Sequence, residues 1–235
     1  MPVFYLSDKH QFPPPYLAEE GGLLAVGGDL EKDRLLAAYE NGIFPWYMEG
    51  EPILWWSPDP RLVLYLHEFT PSKSLRKIVR EKKFHVTMDT AFEDVIHSCA
   101  EIRSFTRSQT WITDDMMTAY IHLHREGYAH SVEAWYDDQL SGGLYGVSLG
   151  RSFFGESMFT RVSNASKVAF YHLVAFLKAL DFSMIDCQIP TAHLKRFGAR
   201  EIPRKLFLQQ LQKSLQSPTL KGRWIRPSSS RRFQP

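Results

Sequence analysis

Two carboxylates and an amide stand in stretches whose other residues read as buried strands. Glu156 lies in Phe154-Gly155-Glu156-Ser157-Met158-Phe159, and Asp186 and Gln188 lie in Ile185-Asp186-Cys187-Gln188. A polar group withdrawn from water costs free energy unless it is paired, so these three residues are either a hydrogen-bonded structural network or a catalytic or binding site. Strand alternation predicts positions 186 and 188 on one face and Cys187 on the other, as a small core residue. Glycines recur nearby in Ser141-Gly142-Gly143-Leu144-Tyr145-Gly146, a sign that backbone or ligand approaches closely there.

Other candidate chemistry fails on inspection. Residues 150 to 157 come close to a phosphate loop, but Glu156 stands where the lysine must neutralise phosphates. Phe159 replaces the second glycine of a nucleophile elbow, which leaves Ser157 a weak acyl-enzyme candidate. His122 and His124 are two apart on a predicted helix and point to different faces, so they form no metal pair. The expectation is therefore an active site with no metal and no cofactor.

These residues need a scaffold, and 235 residues with 44% hydrophobic and 23% charged side chains supply enough core for one. The first sixty residues, rich in Pro, Gly and Trp, predict one helix over 31 to 41, capped by Asp29 and stopped by Gly42, with little other regular structure. Beyond a boundary near residue 60, periodicity predicts a strand at 62 to 66, a helix at 72 to 81, a strand at 84 to 88 and a helix at 90 to 100. A helix capped by Thr113 and stopped by Gly127 follows, then strands at 131 to 136, 140 to 148 and 152 to 158. The chain closes with an apolar helix at 164 to 180, a strand at 183 to 188 and a helix at 203 to 215, and the tail after Ser217 is expected to be loose. This is an α+β protein built on a mixed α/β sheet, with a small domain over 1–60 and a larger one over 61–235.

Two cysteines without a CxxC pair and an N-terminus lacking a signal-type apolar run predict a cytoplasmic protein. The longest apolar stretch, 168 to 180, contains His172 and Lys178, too short and too polar to span a bilayer. The net charge of +2 hides a division: residues 73 to 83 carry six basic side chains against Glu81 alone, and 195 to 235 carry eleven against Glu201. Local cation density of this kind suits a polyanionic partner as well as it suits an ordinary solvated helix face.

Seven blocks in order complete the picture. They are Gly22-Leu23-Leu24-Ala25-Val26-Gly27-Gly28-Asp29-Leu30, Gly42-Ile43-Phe44-Pro45-Trp46, Leu54-Trp55-Trp56-Ser57-Pro58-Asp59-Pro60-Arg61, Trp111-Ile112-Thr113, Gly142-Gly143-Leu144-Tyr145-Gly146, and the two runs holding Glu156 and Asp186. Together they resemble the leucyl/phenylalanyl-tRNA-protein transferases. The resemblance implies a GNAT-type acyltransferase domain after the small N-terminal one. It implies transfer of Leu, Phe and less readily Met from aminoacyl-tRNA to proteins beginning with Arg or Lys, which marks them for N-end-rule degradation. By the same resemblance Asp186 and Gln188 are the catalytic pair and Glu156 binds the donor's amino group or ribose. A donor side-chain pocket maps to Leu144, Phe153, Met158, Phe170 and Ile185, and Trp46 and Trp111 form the platform for the terminal adenosine. Lys73, Arg76, Lys77, Arg80 and Lys83 then meet acceptor-stem phosphates. The tail over 223 to 232 is more basic than the family pattern.

An ester and an α-amine with a reference pKa of about 7.7 to 8.0 need no covalent enzyme intermediate, because some amine is already neutral. Holding the two together can contribute roughly 7 to 11 kcal/mol, against ~10²- to 10⁴-fold for a general base, so positioning should dominate. Asp186 can accept a proton or hold the amine, directly or through Gln188; a relay through the vicinal ribose hydroxyl is the competing path. The alternatives in other classes are an acyl-CoA-dependent N-acyltransferase, for which no pyrophosphate-cradling glycine run is present, and a non-catalytic RNA-binding module. A monomer with no membrane association is expected.

Overall fold

Gly and Pro cut the first sixty residues so often that only short strands survive, yet these strands pair. The computed structural model describes residues 3–7, 9–106 and 110–225. Strands β1 (Phe4–Leu6) and β2 (Leu23–Gly27) precede helix α1 (Lys32–Glu40), and β3 (Phe44–Pro45) and β4 (Leu54–Trp56) follow it. They form a four-stranded sheet in the order β1-β2-β4-β3, which corrects the expectation that this region lacks regular structure. Its core is Trp55, fully buried, with its indole N–H donating to Gly27 O at 2.8 Å and Phe12 edge-on at 4.8 Å. Helix α1 begins after Glu31 rather than at Asp29. The Asp29 carboxylate instead accepts from Glu31 N and from the buried guanidinium of Arg34, at 3.0 Å each.

The remainder alternates as the periodicity predicts: β5 (Arg61–Tyr65), α2 (Lys73–Arg80), β6 (His85–Met88), α3 (Phe92–Thr106), α4 (Asp114–Arg125), β7 (Ala129–Tyr136), β8 (Gln139–Leu149), β9 (Ser152–Thr160), α5 (Ala165–Ala179), β10 (Met184–Gln188), α6 (Ala192–Lys195), β11 (Arg200–Ile202) and α7 (Arg204–Leu215). Ser72 and Thr113 cap α2 and α4, each side chain accepting from a backbone N–H at 3.2 Å. A seven-stranded sheet runs β11-β5-β10-β9-β8-β7-β6, antiparallel except where β10 meets β9. Alternation sends Leu144, Phe153 and Ile185 to the side covered by α5, while Tyr145, Phe154 and Val63 join α3, α4 and the N-terminal sheet in a second core. No helix among the described residues is long and apolar enough to cross a membrane.

Two features of this sheet position the site. The parallel pairing of β9 and β10 covers only Ser152–Phe154 against Met184–Asp186, after which the strands part. The register of β10 against β5 also slips between Asp186 and Gln188, and Gln188 takes a left-handed backbone, φ 54°. This bulge breaks the strict alternation expected of 186 to 188.

The segment after Ser217 is packed, contrary to the expectation of a loose tail. Trp224 is 2% exposed, stacks on His130 at 3.7 Å between ring centroids, and donates its backbone N–H to the Asp89 carboxylate at 2.6 Å. Gly222 N and Gly150 N add bonds to Gly127 O and Thr219 Oγ1. Residues 226–235, including most of the basic tail, lie outside the described residues. Trp224→Ala is expected to lower stability by about 3 kcal/mol or more. Denaturant titration would show this as a lower midpoint at unchanged slope; a loss below about 1 kcal/mol would contradict the packing.

Candidate active site

The cavity opens where β9 and β10 part. It holds about 480 Å³, and its apolar wall includes Leu144, Phe153, Met158, Phe170 and Ile185, the five residues expected to receive a donor side chain. Trp46 and Trp111 stand on the same cavity, both partly exposed, with Trp46 fixed by a bond from the Trp56 indole N–H to its carbonyl at 2.7 Å. Glu156 and Gln188 supply polar wall, and their side chains meet, Gln188 Nε2 donating to Glu156 Oε1 at 3.0 Å. That bond fixes the amide's orientation, because a carboxylate only accepts, and so leaves Gln188 Oε1 as an acceptor for a second group.

Glu156 is held from behind by two residues that sequence reasoning missed. Tyr39 on α1 donates to Oε1 at 2.8 Å and Tyr120 on α4 to Oε2 at 3.2 Å, and the two hydroxyls also bond each other closely. Burial raises both phenols well above their usual range, and the Glu156 charge adds to this, so they keep their protons and act as donors. Burial likewise pushes Glu156 up to about 7, opposed by the hydrogen bonds from Tyr39, Tyr120 and Gln188 and reinforced by the Asp186 charge. Only the apolar helix faces carrying Tyr39 and Tyr120 are legible in the sequence; nothing local marks them as partners of a residue over thirty positions away.

Asp186 is placed differently from Gln188. It is fully buried and not part of the cavity lining. Arg61 on β5 grips it from two points, Nε to Oδ1 at 2.8 Å and Nη2 to Oδ2 at 2.6 Å, and Gln188 N donates to Oδ1 at 3.0 Å. The carboxylate therefore closes the bulge that turns Gln188 toward Glu156, and its place behind the strand is that of a positioning group. Cys187, expected to sit away from the site, lines the cavity as well, because the bulge breaks the alternation. Thr110, Thr191 and His193 are further polar residues on the lining that the sequence alone does not single out. The basic residues Lys73, Arg76, Lys77 and Arg80 on α2, and Lys83 beyond it, are exposed and stand outside the cavity. Among the described residues no group of three His, Cys, Asp or Glu is placed to hold a metal ion.

The family model described as leucyl/phenylalanyl-tRNA protein transferase matches residues 63–212, and that described as its N-terminal domain matches 28–59. A relative named leucyl/phenylalanyl-tRNA–protein transferase in Desulfatibacillum aliphaticivorans is 59% identical over 224 residues, covering 95% of this chain and 96% of its own. One of the same name in Syntrophobacter fumaroxidans is 60% identical over 215 residues, covering 92% of each. Among solved structures, that of L-PGS from Bacillus licheniformis covers 89% of this chain and 68% of its own at 8% identity and a TM-score of 0.41, too slight a likeness to argue from.

The raised pKa of Glu156 fixes the sign of a pH effect. The folded state holds this proton up to about pH 7, whereas the unfolded chain releases it near the ordinary value of 4.5, so stability falls as pH rises between the two. From pH 5 to 8, wild type is expected to lose on the order of 2 kcal/mol relative to Glu156→Gln, read from paired denaturation curves. Parallel pH profiles for the two proteins would show that the carboxyl is not buried in this way.

Proposed function

This chain belongs to the leucyl/phenylalanyl-tRNA–protein transferase family, and from that premise we propose that the cavity between β9 and β10 is where an aminoacyl ester of tRNA meets a protein α-amine. The product is a peptide bond to Leu or Phe, and less readily Met, on proteins beginning with Arg or Lys, which marks them for N-end-rule degradation. One observation carries the reading: residues from four parts of the chain, the two indoles, the apolar wall and the Glu156–Gln188 pair, converge on one cavity. The parting of the one parallel strand pair in the larger sheet supports a GNAT-type larger domain. The family models, which end at 59 and resume at 63, support a division near residue 60.

The terminal adenosine stacks on Trp46 and Trp111, at about 1 to 3 kcal/mol per base, and the aminoacyl side chain enters the wall of Leu144, Phe153, Met158, Phe170 and Ile185. Met158 is unbranched and polarisable, so the wall adapts to Leu, Phe or Met alike. The ester carbonyl then lies beside Gln188, whose free Oε1 accepts from the incoming amine and aims its lone pair. The amine attacks the carbonyl carbon, the bond to the ribose oxygen breaks, the amine loses one proton and the ribose oxygen gains one. Glu156, with a pKa of about 7, is the group on the cavity able to take up and return that proton. Asp186 acts through Gln188 and the bulge rather than on the substrate. The exposed cations of α2 contact acceptor-stem phosphates, which carry register rather than sequence.

The direct assay mixes the protein with labelled Leu-tRNA and a peptide beginning with Arg, using a Gly-initial peptide as control. Label on the Arg peptide alone is expected. Gln188→Ala should slow transfer by about 10²-fold or more with tRNA affinity nearly intact. Reversing Arg76 and Arg80 to Glu should weaken tRNA binding and flatten its salt dependence. Equal binding losses in both sets would overturn the assigned roles.

A further inference from the structure

Past Gln188 the chain turns through Ile189, Pro190 and Thr191 into α6, a four-residue helix whose flanks are exposed, so it forms rim rather than core. His193 on this helix lines the cavity, packed edge-on to Phe197 at 5.1 Å between ring centroids. Its Nε2 is closed off from solvent and has no hydrogen-bond partner among the described residues. A buried nitrogen of this kind is costly unless something arrives to bond it.

The surrounding charge says what should arrive. Burial, then Lys167 on α5, then Arg196 lower the pKa of His193, so the ring is neutral at physiological pH. Neither cation lies within 4.0 Å of a carboxylate among the described residues: Lys167 donates to the uncharged Asn164 at 3.1 Å, while Lys195 between them in sequence is paired with Glu201 at 3.4 Å. A neutral imidazole donor between two unneutralised cations repels the Arg or Lys that begins an acceptor protein and attracts an anionic oxygen.

We propose that His193, Lys167 and Arg196 form a subsite for the sugar-phosphate linkage next to the terminal adenosine of the donor tRNA, with Nε2–H donating to a phosphoryl oxygen. The inference rests on the cavity holding the donor's aminoacyl end. It also divides the entrance, since the acceptor must then come from a side away from α6.

The test compares two unreactive donors: 3′-leucylamido-adenosine, which has no phosphate, and the same nucleoside extended by its two preceding cytidylates. Their binding is measured by calorimetry at several salt concentrations, with acceptor-peptide KM taken from the transfer assay. Wild type should bind the trinucleotide more tightly. His193→Ala and the double substitution Lys167→Gln/Arg196→Gln should each weaken the trinucleotide about tenfold and the nucleoside less than twofold. The double substitution should also lower the salt slope for the trinucleotide by about 0.7 for each phosphate it no longer neutralises. His193→Gln, whose amide can donate from a similar position, should recover most of the affinity. Equal weakening for both ligands would mean that His193 shapes the cavity, and an effect confined to acceptor-peptide KM would put it on the acceptor side; either overturns the subsite, as would unchanged affinity for both. Failure of wild type to bind either ligand would instead overturn the donor reading on which the subsite depends.

Discussion

Arg61 and Asp186 are buried together, and the geometry of the site follows from that pairing. Taking both ions out of water costs several kcal/mol each, which only close, multiple bonding can offset. Two bonds join the pair, Gln188 N adds a third to the carboxylate, and Phe44 and Phe207 cover the guanidinium at 4.9 and 4.7 Å from their ring centroids. The pair thus ties β5 and β10 to the N-terminal sheet through Phe44 and to α7 through Phe207. A hydrophobic pair of the same volume could hold these strands as firmly, but it could not accept the N–H of a residue in the left-handed conformation. That acceptor stabilises a backbone state costing about 1 to 2 kcal/mol for a residue with a side chain.

The position of Gln188 would be of little use without Glu156 to fix its amide, and Glu156 is balanced between two opposed effects. Burial and the nearby Asp186 charge favour the neutral carboxyl, while two phenols and an amide favour the carboxylate. The result, about 7, matches a group that must accept and release a proton at neutral pH. Tyr39 and Tyr120 come from helices on either side of the residue-60 boundary, so this balance requires both sheets to be assembled. The continuous core shared by Trp55, Tyr39, Tyr120 and Phe154 is consistent with that requirement.

Much of this is legible in the sequence. Leu144, Phe153, Met158, Phe170 and Ile185 can be placed together because strand and helix periodicities assign faces, and a face fixes which side chains share a cavity. The element order beyond residue 60 is legible for the same reason. What escapes is non-local. The pairing of Arg61 with Asp186 spans 125 positions, and that of Tyr39 with Glu156 spans 117, so no local spacing encodes either. The bulge at Gln188 is a register slip between strands, invisible to alternation. Trp224 reads as part of a loose tail because Pro, Ser and Arg surround it; its order comes from a stacked aromatic contact with His130 and a backbone bond to Asp89.

The bulge also brings the Cys187 thiol onto the cavity wall, beside the place assigned to the ester. A thiol there could compete with the amine by taking the acyl group, but the nucleophile would be the thiolate. Burial, followed by the Asp186 charge, pushes this thiol far above its usual range, so the thiolate is almost absent at neutral pH. The ion pair that aims Gln188 at the amine therefore also helps to silence the sulfur next to it. A direct transfer from ester to amine then follows from positioning, with one carboxylate serving both effects.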